Sequence, residues 1–416
     1  MTKVVYVPWL HMHQPPVWRG EDGGEKLVGN LLKMITGPPN SEESWNGRIF
    51  ARAYKNPARH VLQLAAEGLS PRIILDFSGC LLKELWELSS SGFFDSLEVE
   101  GEKIGNIISL YREVLERIPE TMEMAGSSYF HSYFPVSPRR DWEAQILRWR
   151  ELYGELFGEE ALKRVKGFWL PEMGVPGEKS MAALIRILKR AGYQWLILPP
   201  HVLQAQGPVE GGVFRLVCED DQGKEEITAV VRDTQMGIRQ QEGCDANGIY
   251  NDLRRKRDHL GKGGKPLLII PTSDGENGNN MMFRFFPETF APFFRLLSRE
   301  DGIESLSISD YLERYCPAGP QEEVRIRAEG GSWIGGHESW QRSGRGGEIL
   351  NRIEEVSRLL HSVHRFNDPL YREAEERVLT CQTSCYVYWG QDFWYAQAEK
   401  SLNRAEECLS QFGGKG

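Results

Sequence analysis

Three short stretches of this chain gather residue types that can do chemistry. In GFWLPEMGV, residues 167–175, a short apolar strand runs past Trp169 into a single carboxylate, Glu172. A carboxylate at the carboxyl end of a buried strand and ahead of a helical pattern sits where α/β enzymes keep catalytic groups. The competing reading is a glutamate that merely complements a helix N-terminus. In PTSDGENGNN, residues 271–280, Asp274 and Glu276 stand two apart across a glycine. Like charges raise each other's pKa, which suits a proton donor near neutral pH. The alternative is an acidic turn with weak calcium affinity, although the ligand spacing of an EF-hand is missing. HMHQPP, residues 11–16, adds His11, His13 and Gln14. Together with His131 the histidines could ligate zinc, as in a metal-dependent polysaccharide deacetylase, or they could hydrogen-bond sugar hydroxyls. No HExxH occurs and no aspartate stands beside the pair, so no metal and no cofactor is assigned.

The aromatic residues favour the sugar reading. Trp9, Trp18 and Trp45 flank the histidines, Trp169 adjoins Glu172, and GSWIGGHESW (331–340) adds Trp333, His337 and Trp340. A tryptophan in a glycine-rich loop offers a flat face to a sugar ring; the alternative for each is a place in the core or at its rim. Arg232 and Asp233 follow another apolar run and join the candidate substrate-binding residues.

These residues have to be positioned by something, and the spacing of apolar runs says by what. Seven short runs read as strands: 4–9, 72–77, 121–126, 167–170, 194–198, 227–231 and 267–271. Between them, 58–68, 104–118 and 182–192 carry apolar residues at i, i+3, i+4 and read as helices. Alternation of this kind builds parallel sheets. Since the polar candidates cluster just after the strands, the expected architecture is α/β, a distorted seven-stranded (β/α) barrel. The turn-rich CPAGPQEE (316–323) marks an expected boundary between a barrel domain, 1–315, and a mainly helical region, 316–416, with helices expected over 348–366 and 371–409. Cys381 and Cys385, four apart in the second of these, are expected to share a face and to pack rather than to bind metal.

With 416 residues, a large core can be buried. A formal net charge of −9 and no basic run argue against a nucleic-acid partner. Seven cysteines, odd in number and without paired CxxC spacing, favour reduced thiols. The N-terminal stretch turns polar after ten residues, with neither a signal-peptide core nor a membrane span, so the expected place is the cytoplasm. Oligomeric state is not legible.

HMHQPP, GSSYFHSYFP, GFWLPEMGV and PTSDGENGNN, in that order, resemble the conserved regions of glycoside hydrolase family 57, over roughly residues 5–340 and more weakly into SCYVYWGQDFW (384–394). The resemblance implies a seven-stranded barrel followed by helices, metal-free retaining chemistry and an α-glucan oligo- or polysaccharide substrate. It places the nucleophile at Glu172 and the general acid/base at Asp274. Sugar-binding or positioning roles fall on His11, His13, Gln14, His131 and Glu276. DGEN and GSWI resemble the amylase and amylopullulanase branch, which implies α-amylase-like hydrolysis. The alternatives are a 4-α-glucanotransferase or branching enzyme using the same carboxylates and, from another class, a carbohydrate-binding protein without turnover.

Overall fold

The computed structural model describes residues 4–21, 24–205, 207–260 and 265–412. The fold is α/β, with parallel strands connected by helices. All seven expected strands form, and several are buried along their whole length: Trp9–Met12, Ile73–Phe77, Met122–Ala125 and Trp195–Leu198. Continuous burial is what strands covered on both faces require, and it explains why they read as unbroken apolar runs.

Pairing proceeds strand by strand. Thr272–Asp274 pairs with Trp9–Met12, which pairs with Ile73–Phe77, which pairs with Met122–Ala125, all parallel. A parallel bridge from Gly126 to Phe168 carries the succession to Gly167–Phe168, then to Trp195–Leu198 and to Gly223–Val231. Beyond that last strand, the Asp233 amide donates to the Ile270 carbonyl at 2.9 Å, back toward the first members of the series. Side chains alternate across these strands. Val5, Trp9, Ile74, Ala125, Trp195, Ile197, Val230 and Ile270 join one apolar cluster, whereas their neighbours Tyr6, Leu10, Leu75, Met124, Leu196 and Val231 join another that includes the helices.

The expected strand 4–9 is two, Val4–Tyr6 and Trp9–Met12, separated at Pro8, which has no N–H for a ladder. The helix expected from residue 58 starts at Glu42 and runs to Ala66. Pro57 inside it hid the continuity, while Ser41, whose side chain accepts from the Ser44 amide, marks its true start. The hairpin Pro16–Glu21 with Gly24–Gly29 and the antiparallel strand Val213–Asp220 were not expected.

After residue 316 the chain returns to the sheet: Glu323–Ile326 pairs with Val213–Asp220 and with Leu203–Gln204. Helices follow at Arg345–Ser362, Pro369–Thr380, Ser384–Tyr388 and Asp392–Ser410. They have their own apolar cluster, which also takes in Val17 and Val28 of the hairpin. The helix expected over 371–409 is therefore three helices. Cys381 caps the end of one and Cys385 lies within the next, so the two do not share one helix face; both are buried free thiols. Among the described residues, no helix is long and apolar enough to cross a membrane.

Candidate functional site

Register builds the first half of the site. In adjacent parallel strands, Asp274 is paired with His11 and His11 with Asp76, so three polar side chains stand side by side. Asp76 is fully buried, and both its oxygens receive donors: the Trp9 indole N–H at 2.6 Å and His11 Nδ1 at 2.6 Å. Burial pushes the Asp76 carboxyl upward, but two donors on an acceptor-only group are the hydrogen bonding of an ionised carboxylate. Burial likewise disfavours a charge on His11. The Asp76 carboxylate, with Asp274 and Glu276 behind it, outweighs that and pushes His11 up to about 9.

Backbone strain builds the second half. Glu172 has φ 58° and ψ 19°, and Met173 and His131 also have positive φ, at 45° and 56°. Such conformations cost about 1–3 kcal/mol each in residues other than glycine and persist where surrounding contacts enforce them. Here the contacts are visible. The Trp333 amide donates to the Glu172 carbonyl at 3.0 Å, the Trp333 indole N–H to Glu172 Oε2 at 2.9 Å, and the Ser384 hydroxyl to Glu172 Oε1 at 2.8 Å. The loop bearing Trp333 docks through Gly330, with φ 73°, where a Cβ would lie 2.0 Å from the Val175 carbonyl oxygen. Only glycine allows that approach.

The Glu172 side chain is 16% exposed. Burial raises it above the ordinary carboxylate value, Ser384 and the His11 charge pull it back, and Asp274 pushes it up. Asp274 itself is half-buried and accepts from Asn277 Nδ2 at 3.1 Å. Glu276 is buried, and burial followed by the Asp274 charge pushes it to about 8, so it holds a proton at neutral pH. Gly275 between them packs against Met12, whose sulfur would lie 2.3 Å from an added Cβ.

His13 and His131 stack face to face, with ring centroids 3.9 Å apart and planes 12° from parallel. Burial and the neighbouring imidazoles hold both well below the ordinary histidine value. His13 Nδ1 contacts the Ser78 hydroxyl at 2.8 Å and its amide donates to Glu276 at 3.2 Å. The ligand atoms of His13, His131 and Cys385 lie within 4.8 Å of one another, close enough to consider a metal. Imidazole lone pairs lie in the ring plane, so two nearly parallel stacked rings direct them side by side rather than toward one ion.

The remaining candidates divide. Gln14 is buried and accepts from Asn30 at 2.8 Å. Trp169 is 5% exposed and stacks on His11 at 5.2 Å, so it backs the imidazole. Trp333, at 44% exposure, does present a face. Arg232 donates to the Trp333 carbonyl at 3.3 Å and so braces that loop. The Asp233 side chain is engaged in the frame: it caps the helix Thr234–Glu242 by accepting from the Met236 amide and pairs with Lys256 at 2.7 Å. Trp340 is buried in a stack with Tyr133 and Tyr388. Sequence reasoning passed over Asp76 and Ser384. Asp76 sits inside RIILDF, where one acid in a buried run was a usable signal; Ser384 lies in the most weakly resembling segment.

The model of the family described as glycosyl hydrolase family 57 matches residues 9–237, more than half of the chain. Among curated protein sequences, none matches. Solved structures with a similar fold include a GH57 branching enzyme from Thermococcus kodakaraensis (16% identity, 100% of this chain and 92% of that one, TM-score 0.70). Another is a 4-alpha-glucanotransferase from Thermococcus litoralis (15%, 98% and 60%, TM-score 0.68). A third is an alpha-amylase from Thermotoga maritima (13%, 100% and 94%, TM-score 0.64). At these identities the likeness is one of fold.

Proposed function

Given that the chain belongs to glycosyl hydrolase family 57, we propose that it cleaves α-glucans with retention of configuration, Glu172 acting as nucleophile and Asp274 as acid/base. The observation that carries this reading is the difference between the two carboxylates. Glu172 has both oxygens held by N–H and O–H donors. That fixes a nucleophile and favours its charged form. Asp274 is half-buried, and Asn277 is its one side-chain hydrogen-bond donor among the described residues, which suits a group that exchanges protons.

Asp274 then protonates the glycosidic oxygen as Glu172 attacks the anomeric carbon; the bond to the leaving sugar breaks and a glycosyl ester forms. Deprotonated Asp274 next takes a proton from the acceptor, which displaces Glu172. Water as acceptor gives amylase-like hydrolysis, and a sugar hydroxyl gives glucanotransferase or branching activity with the same carboxylates. His11, His13, His131, Gln14 and protonated Glu276 line the sugar site, with the exposed face of Trp333 as a stacking surface. The seven successive parallel strands, their alternation between two apolar clusters and the Asp233–Ile270 bond support a distorted seven-stranded (β/α) barrel. In this reading residues 1–315 present both carboxylates, and residues 316–416 close the site with Trp333 and Ser384.

The test is maltoheptaose with wild type and Glu172→Ala, products followed by chromatography and proton NMR. Wild type gives shorter sugars born in the α-configuration, with longer ones as well if it transfers. Glu172→Ala is inactive, and added azide yields a β-glycosyl azide by entering the face the carboxylate vacates. Untouched maltoheptaose would sink the α-glucan reading, and stoichiometric zinc by elemental analysis would turn it toward a metal-dependent deacetylase.

A further inference from the structure

We propose that Ser384 is a positioning residue for Glu172, the last link of a hydrogen-bond relay, Asp76–His11–His131–Ser384–Glu172, whose two histidines share one extra proton. The proposal rests on Glu172 being the nucleophile. The links are continuous: Asp76 Oδ2 to His11 Nδ1 at 2.6 Å, His11 Nε2 to His131 Nε2 at 3.0 Å, His131 Nδ1 to Ser384 Oγ at 2.8 Å, and Ser384 Oγ to Glu172 Oε1 at 2.8 Å. Every member but Glu172 is at least nine-tenths buried, so water does not complete the valences.

The relay can be solved by counting hydrogens. Four contacts need four hydrogens, and both ends are carboxylates. When Glu172 is ionised, the Ser384 hydroxyl must donate to it, so His131 Nδ1 must donate to Ser384, and His11 Nδ1 must donate to Asp76. One hydrogen remains to be placed between two Nε2 atoms that would otherwise repel. The histidines thus carry three N–H groups on four ring nitrogens, one imidazolium per pair. Its charge lies between the two carboxylates, and the Asp76 carboxylate in contact with His11 places it there, leaving His131 neutral.

A second arrangement contains the same protons. If Glu172 carries one, it donates to Ser384, Ser384 to His131 Nδ1, His131 Nε2 to His11 Nε2, and both imidazoles are neutral. Ionising Glu172 therefore needs no proton released to solvent: one enters the relay at Ser384 and the histidine pair gains one. Asp76 is ionised in both arrangements, and the Trp333 indole N–H on the outer oxygen of Glu172 favours the one in which Glu172 is ionised. The relay also gives the C-terminal region a catalytic reason to dock, since the Ser384 amide donates to the His131 carbonyl at 3.0 Å.

Other groups facing the relay do not compete for its proton. Asp274 and Glu276 face His11 from the adjoining strand and its loop, and His13 stacks on His131 as a neutral ring. Tyr133, Tyr388 and Cys385 face Glu172, each pushed up by burial and uncharged near neutral pH.

The experiment has two arms. In uniformly ¹⁵N,¹³C-labelled wild type at pH 7, the imidazole nitrogens of His11 and His131, assigned with His131→Asn, show three protonated and one bare while the Glu172 carboxyl carbon has its ionised shift; two protonated and two bare beside an ionised Glu172 would overturn the relay. In kinetics, Ser384→Ala lowers kcat about tenfold, a charge-assisted hydrogen bond's worth, leaves KM within about twofold and moves the acid limb of kcat/KM to higher pH. Ser384→Thr, which keeps the hydroxyl, restores the limb. A Ser384→Ala profile superimposable on wild type would overturn the proposal. The nitrogen count needs neither turnover nor a variant at Ser384, so a protein inactive on α-glucans still decides the relay separately from the function.

Discussion

His11 is where the titration of single residues should show most clearly. Its pKa is pushed from the ordinary 6.5 up to about 9 by Asp76, Asp274 and Glu276 against the opposing effect of burial. A group raised on folding binds more protons folded than unfolded, so the stability it contributes is full below about pH 6.5 and is lost as pH rises through about 9. Glu276, raised to about 8 by burial and then Asp274, acts in the same direction between its unfolded value and about 8. We therefore expect the melting temperature to fall from pH 6.5 to 9 and His11→Asn to flatten that fall. Scanning calorimetry across the range checks it; a wild-type melting temperature that rises over it would contradict the charged histidine.

At the scale of elements, Asp233 separates two roles that a sequence pattern cannot. Its placement as helix cap and buried partner of Lys256 makes it part of the frame. Asp233→Ala should lower unfolding free energy by about 3 kcal/mol, the usual cost of leaving a buried partner unpaired. In urea titrations this appears as an earlier midpoint with unchanged slope. The KM of the folded protein for maltoheptaose should stay within about twofold. A large KM increase with unchanged stability would return Asp233 to the sugar site. The strands and helices were mostly legible because their signal is local: apolar runs, and apolar residues at helical spacing. Where legibility failed, a local cause is identifiable, as with Pro57 inside the helix Glu42–Ala66 and the interruption at Gln382–Thr383 between two helices.

For the whole molecule, the two ends of the chain share one core. Val17 and Val28 of the early hairpin pack among the C-terminal helices, the Trp18 indole N–H donates to Ser401 at 3.1 Å, and the Arg377 guanidinium lies 3.4 Å over the Trp18 ring while pairing with Glu25 at 3.1 Å. Arg377 is 4% exposed, so Arg377→Ala removes a buried cation, a ring contact and an ion pair together. We expect a loss of about 3 kcal/mol in urea unfolding, with loss of activity following the loss of fold. A variant as stable as wild type would show that the hairpin does not hold the C-terminal helices.

By itself, the amino-acid sequence determined where the seven strands lie and which carboxylates follow them, because strand periodicity and turn chemistry act over a few residues. It also carried the family, through four ordered motifs. Only the tertiary structure decided what surrounds Glu172. Ser384 is 212 residues away in sequence, Trp333 is 161 away, and Asp76 reaches His11 across 65. Contacts at such separations leave no periodic trace in either segment; they exist because parallel register sets Asp76 beside His11 and because a separately packed helical region brings one serine to the carboxylate.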